Sequence, residues 1–216
     1  MKITDAVDEF SKISYPDHRY SSFDFCYNYF RSNDCNAIVD DMEKSCAIFG
    51  FYLASWGMMR GSSFLLQKSY RYFTALIEWI ASVETIYWQL EPSDYSNRYS
   101  IIEEAYNKIR DLTIEDNNRD IVLVTKILLG VFGIVPAFDE YFCKCFKKID
   151  PKKSRFTVFN KDSLEVIQSF YLENKAEIDG LSARIFTKDF ITGKPRFNYP
   201  KAKIIDMYGF VVGTKE

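Results

Sequence analysis

Ile121-Val122-Leu123-Val124-Thr125-Lys126-Ile127-Leu128-Leu129-Gly130-Val131-Phe132 carries a single charge and is apolar on every face. That is the pattern of a helix enclosed by others, not of one lying on a surface. Its β-branched residues also suit a buried strand, but Lys126-Ile127-Leu128-Leu129 favours helix. Extending the run to Phe138 does not make a membrane span. Lys126 breaks it, a proline closes it, and a bilayer needs about 20 apolar residues. The rest of the chain is therefore read as packing around this central helix.

Working outward, Ile3, Ala6, Val7 and Phe10 recur at helical spacing and predict a short helix over 4–12, stopped by Tyr15-Pro16-Asp17. Ser21 or Ser22 caps a second, with Phe23, Cys26, Tyr27 and Phe30 on one stripe. Asp34 caps a third whose core face is Ile38, Met42, Cys46, Phe49, Leu53 and Trp56. A long helical stretch is expected from Ser62 or Ser63 to about Trp88, and another from Asn97 to Leu112. The polar run Glu115-Asp116-Asn117-Asn118 reads as a loop. Beyond the central helix, Pro136 suits a first helical position and opens a helix over 136–148. Asp162 or Ser163 starts one that reaches Ile178 and closes at Gly180. Thr192-Gly193-Lys194-Pro195 turns a small hairpin within 185–199, and Pro200 opens a last helix to Val212. The expected fold is all-α: one multi-helix domain over 1–216 with that hairpin near the C-terminus. A subdomain break near 150, where composition shifts, is the alternative.

Composition is that of a globular chain, with 47% hydrophobic and 27% charged residues. Aromatics reach 17%, which reads first as packing between helices. Net charge is −2, but residues 1–140 carry −8 and residues 141–216 carry +6. An acidic body and a basic final third can attract each other within one fold, or the basic part can serve phosphates. Five cysteines at irregular spacing make a poor disulfide framework, and the first nine residues lack a signal peptide's apolar stretch. Both point to a cytoplasmic protein without a membrane segment.

Several chemistries are excluded. A single histidine, His18 in Pro16-Asp17-His18-Arg19, leaves no set of metal ligands, and Cys143-x-Cys145 has the wrong spacing for a zinc knuckle. No metal or cofactor is expected. Gly57-Met58-Met59-Arg60-Gly61-Ser62-Ser63 is not a Walker loop, and Gly130-x-x-Gly133 lacks the rest of a dinucleotide fingerprint.

What remains is a set of charges in apolar sequence: Arg60, Lys126, Asp139 and Asp206. Buried charges are costly unless paired, so two cations and two anions invite pairing, as Arg60 with Asp139 and Lys126 with Asp206. They either bridge helices or line one polar pocket, with Trp56 and Tyr208 as walls. Trp56, Arg60, Lys126, Asp139 and Asp206 are the candidate ligand-binding residues. Leu129 to Ala137, two helices joined by a Gly-containing turn, also has an echo of a helix-hairpin-helix, followed by Lys144, Lys147, Lys148, Lys152, Lys153 and Arg155.

The stretches 51–66 and 131–139, among them Ser55-Trp56-Gly57-Met58-Met59-Arg60 and Val135-Pro136-Ala137-Phe138-Asp139, resemble a family of uncharacterised bacterial proteins. That resemblance implies a bacterial cytosolic origin and no activity. The expected function is a helical binding protein for a small anionic ligand or a protein partner, through the Arg60/Lys126 region. The alternative is a nucleic-acid-binding or -processing protein that uses the basic C-terminal third. An enzyme with Asp139 or Asp206 as acid–base group comes third.

Overall fold

In the computed structural model, which describes residues 1–32, 34–115 and 118–215, the chain is 68% helical. The fold is all-α, with eleven α-helices and one two-stranded hairpin among the described residues. Of the expected loop at 115–118, Asp116 and Asn117 lie outside the described residues.

The central segment is helical and sits at the centre of the core. Helix α7, Ile121–Ile127, runs directly into one π-helical turn, Leu128–Phe132, and every residue from 123 to 138 is buried. A π turn is wider than an α turn and displaces the regular ladder. The Lys126 carbonyl accepts from the Tyr52 hydroxyl at 2.8 Å. The Tyr52 ring lies so close over Gly130 that a Cβ there would fall 2.2 Å from it. Gly133, at φ +70°, ends the turn in the left-handed region that glycine tolerates best.

From Gly133 the chain crosses the core without helical structure, which corrects the expected helix over 136–148. Its buried groups are satisfied one by one. Tyr95 donates to the Ile134 carbonyl, the Asp206 carboxylate accepts the Ala137 N–H, and Thr125 Oγ1 accepts the Phe138 N–H. The helix starts only at Glu140 (α8, Glu140–Phe146), because Asp139 provides a side-chain cap that Pro136 cannot. With these N–H groups buried or already bonded, the turn cannot grip a phosphate as a helix-hairpin-helix does.

Around this segment stand α1 (Ile3–Ile13), α2 (Ser22–Ser32), α3 (Cys35–Asp40), α4 (Met42–Ser55), α5 (Thr74–Ser82) and α6 (Tyr95–Thr113). After α8 come α9 (Lys161–Glu173), α10 (Lys175–Arg184) and α11 (Lys201–Thr214). The continuous stripe expected from Ile38 to Trp56 is two helices, since Asp41 leaves α3 and caps α4 by accepting the Lys44 N–H. The stretch 62–88 forms 3₁₀ turns around the short α5. The helix expected to end at Gly180 breaks earlier, at Asn174, and Gly180 lies inside α10.

Helix α11 packs on α1 and α8, and α9 packs on α6, so elements after residue 150 rest on elements before it. Lys201 pairs with Glu91 and Lys215 with Glu9, each at 2.6 Å, joining the basic final third to the acidic body. The hairpin, β1 (Phe186–Lys188) against β2 (Pro195–Asn198), is antiparallel and docks on α2. Asp24 accepts the Lys188 N–H at 3.0 Å and the Tyr199 hydroxyl at 2.6 Å, while Asn28 donates to the Lys188 carbonyl at 2.8 Å. Burial pushes the Asp24 carboxyl up to about 6 against those hydrogen bonds. Among the described residues no helix is long and apolar enough to cross a membrane.

Candidate functional site: a cavity above a buried ionic core

The site begins at the end of α4. Gly57 is left-handed, the Met58 N–H bonds the Leu53 carbonyl at 2.9 Å, and the Gly57 N–H bonds the Ala54 carbonyl at 3.0 Å. This Schellman arrangement satisfies two orphan carbonyls of the helix end. The Trp56 carbonyl is met by the Lys126 ammonium, which donates to it at 2.6 Å. A cation at a helix C-terminus is favoured by the helix dipole.

Asp139 faces the same ammonium from the opposite kind of helix end. Its Oδ1 accepts the Phe142 N–H of α8 at 3.1 Å, and its Oδ2 lies 3.9 Å from Lys126 Nζ. Each charge is thus held by a helix terminus as well as by its partner. Burial still dominates both. It lowers the Lys126 ammonium below its ordinary value and raises the Asp139 carboxyl, in each case against the attraction of the other.

A second pair lies deeper. Lys203 and Asp206, three residues apart on α11, meet at 2.8 Å with side chains 1% and 4% exposed. The Lys203 ammonium sits 4.9 Å from the Phe10 and Phe23 ring centres and 4.2 Å from that of Trp56. Aromatic faces carry negative potential, so this cage replaces part of the lost hydration. The pairs expected from sequence, Arg60 with Asp139 and Lys126 with Asp206, are therefore corrected to Lys126 with Asp139 and Lys203 with Asp206.

Above these pairs opens a cavity of about 400 Å³. Four of the five candidate residues, Trp56, Arg60, Lys126 and Asp139, line it. Asp206 does not. It is buried beneath, with one oxygen on Lys203 and the other on the Ala137 N–H, so it cannot serve a ligand as acid or base. Tyr208 is also elsewhere, tilted against Phe170, and the aromatic walls are Tyr20, Tyr141 and Phe210.

Arg60 is exposed, and its side chain folds back over Gly57. Nearby acids are engaged elsewhere: Asp139 with Lys126, Glu140 with Lys144 and Glu9 with Lys215. Arg19, also on the rim, lies over the Tyr20 ring at 4.9 Å. Trp56 is 6% exposed, and its Nε1 has no hydrogen-bond partner among the described residues. No protein-family model matches the chain, and neither a curated protein nor a solved structure was found to match it. Nothing in those comparisons bears on the resemblance to uncharacterised bacterial proteins.

Sequence reasoning missed Lys203, Arg19 and the three aromatic walls. Lys203 had a readable signal, a cation in Ala202-Lys203-Ile204-Ile205 three residues before Asp206. Arg19 and Tyr20 had none, because their role depends on where the 3₁₀ turn Arg19–Ser21 lands against α4. No three His, Cys, Asp or Glu side chains converge on a common point among the described residues. His18 accepts the Tyr20 N–H and packs between Tyr15 and Tyr20.

Proposed function

We propose that this chain is a binding protein for a small anionic molecule, carboxylate or phosphate in type, held in the Trp56–Arg60 cavity. One observation carries the reading: Arg60 brings a guanidinium, unpaired among the described residues, to a cavity whose other charges largely cancel. A guanidinium is the side chain best matched to a two-oxygen anion, which it grips through two parallel hydrogen bonds. Trp56, whose buried N–H has no acceptor among the described residues, lines the same cavity. Five cysteines without a disulfide suit a reducing, cytoplasmic setting.

The test is a thermal-shift and calorimetric titration with inorganic phosphate, acetate, succinate and benzoate, on the native chain and Arg60→Met. At least one anion should bind the native chain. Arg60→Met should weaken it by roughly tenfold or more, a lost charged hydrogen bond, at an unchanged Tm. Equal binding by both chains, or none by either, removes the reading.

The alternative, nucleic acid on the basic final third, is favoured by a different feature. Lys144, Lys147, Lys148 and Arg155 border a groove of about 780 Å³ beside α8. Against it, Lys144 is paired with Glu140, and Lys153 with Glu165. Retention of single- or double-stranded oligonucleotides that falls steeply with salt and vanishes on charge reversal at Lys147, Lys148, Lys152 and Lys153 would establish it. No retention at low salt would end it.

A further inference from the structure

The three most exposed large apolar side chains among the described residues are Ile191 at 88%, Phe190 at 75% and Phe51 at 65%. All three line one groove of about 770 Å³, between α2, α4 and the hairpin tip. Single exposed apolar residues are ordinary on a protein surface; the convergence of the most exposed ones on one concavity is not. Its wall continues through Phe25, Tyr29 and Ile48.

The exposure is built in. Asp189 accepts the N–H groups of Ile191 and Thr192 and pairs with Arg196 at 3.1 Å, which fixes the tip, and Gly193 at φ +65° completes the turn. Asp24 and Asn28 clamp the strand behind it to α2. The Phe190 ring meets the edge of Phe25 at 4.9 Å, so it is held at the groove's mouth. Such fixed apolar surface is ordered before any ligand arrives, which lowers the entropic cost of binding.

The rim has a sign. Arg19, Lys44 and Arg196 stand around the groove with Asp17 and Asp189. Asp189 is taken by Arg196 and its own turn, while Lys44 and Arg19 have no carboxylate partner among the described residues. Size argues for a small guest. Volumes of about 300–1,000 Å³ with apolar walls and a few polar groups are those of small-molecule sites. A stable protein interface covers about 800 Å² on each partner, well beyond one such groove.

We propose that this groove binds an amphiphilic anion: an unbranched hydrocarbon tail laid against Phe51, Phe190 and Ile191, and a carboxylate head beside Lys44. The site is separate from the Trp56–Arg60 cavity, with which it shares only Arg19 at its border.

The experiment is calorimetric titration of the full chain with sodium dodecanoate below its micelle concentration, with dodecanol and dodecylammonium as comparison ligands. Dodecanoate should bind saturably, one per chain, and dodecylammonium roughly tenfold or more weaker, as head-group charge demands. The double variant Phe190→Ser/Ile191→Ser should lose roughly tenfold or more through lost apolar contact, with its circular dichroism unchanged because both residues are at the surface. Lys44→Glu should weaken dodecanoate and leave dodecanol unaffected. Phe190→Ser/Ile191→Ser should leave any binding of phosphate or acetate at the Trp56–Arg60 cavity as in the native chain, which keeps this result apart from that of the cavity. The proposal is overturned by absence of saturable binding, by equal affinity of the double variant, or by equal affinity for dodecylammonium. It is equally overturned if an acidic amphipathic peptide binds at the tip where dodecanoate does not, for the groove then docks a protein segment.

Discussion

The two ion pairs stacked beneath Trp56 are alike in composition and opposite in situation. Lys203 and Asp206 are in direct contact, sealed from water, and the ammonium is enclosed by three rings. Lys126 and Asp139 stand 3.9 Å apart, each anchored to a helix end, with the Asp139 side chain 16% exposed at the cavity. A buried pair that satisfies itself leaves nothing for a ligand. A pair held slightly open by other partners keeps polar capacity at the cavity wall. Both members of the inner pair lie on α11, which they tie to the core through the Ala137 N–H on Asp206 and the three rings around Lys203; the outer pair shapes a surface that a guest can use.

Breaking the inner pair should have the largest effect. Lys203→Met leaves Asp206 buried without its cation and should cost about 3–5 kcal/mol, a fall in Tm of roughly 10 °C for a chain of this size. Lys203→Met/Asp206→Asn should recover part of that loss, since asparagine still accepts the Ala137 N–H. Thermal melts of the native chain and the two variants decide it, and a double variant no better than the single would show that the ammonium acts through its aromatic cage.

Asp24 sharpens the comparison, because it is a buried carboxylate that depends on a hydroxyl and an N–H without a contacting cation. In the folded chain it takes a proton as pH falls through about 6; in the unfolded chain it does so only near its ordinary 3.8. Between those values the folded state binds more protons, so this group's contribution to stability grows as pH falls and is lost as pH rises through about 6. The full change is about 3 kcal/mol. Urea melts at pH 4.5 and 7.5 should show the native chain gaining on Asp24→Asn at the lower pH; parallel pH dependence would show that Asp24 does not titrate in this range.

Lys126→Met should cost less than Lys203→Met, about 1–3 kcal/mol, because the orphaned Asp139 keeps its helix cap and some access to water. It also leaves the Trp56 carbonyl without its donor, so anion affinity should fall together with stability. Arg60→Met should be the smallest change in stability, within about 0.5 kcal/mol, as for an exposed side chain, while losing anion binding. A cost at Arg60 comparable to that at Lys126 would mean that the guanidinium belongs to the scaffold.

Helices were legible wherever an apolar stripe was regular, as at Phe23, Cys26, Tyr27 and Phe30 or over the first turns of the chain. Breaks inside a stripe were not. Asp41 and Asn174 interrupt helices at positions where the same residue on a solvated face would have looked no different. The hairpin showed through its Gly-Lys-Pro turn, yet the prominence of Phe190 and Ile191 did not. Apolar residues in a strand-like segment read as core until the opposing surface is known.

Local pattern, in the end, settled the helical class, the enclosed position of the central helix and the burial of Lys126 and Asp206; it grouped the exposed Arg60 with them and passed over Lys203. Periodicity and the cost of burying a charge act over a few residues and are written in composition. Which charge meets which was settled only in three dimensions. Lys126 reaches the Trp56 carbonyl across seventy positions of chain, and Lys203 enters a cage drawn from α1, α2 and the end of α4. Such pairings depend on where helix ends stop and how helices cross, and a linear pattern carries neither.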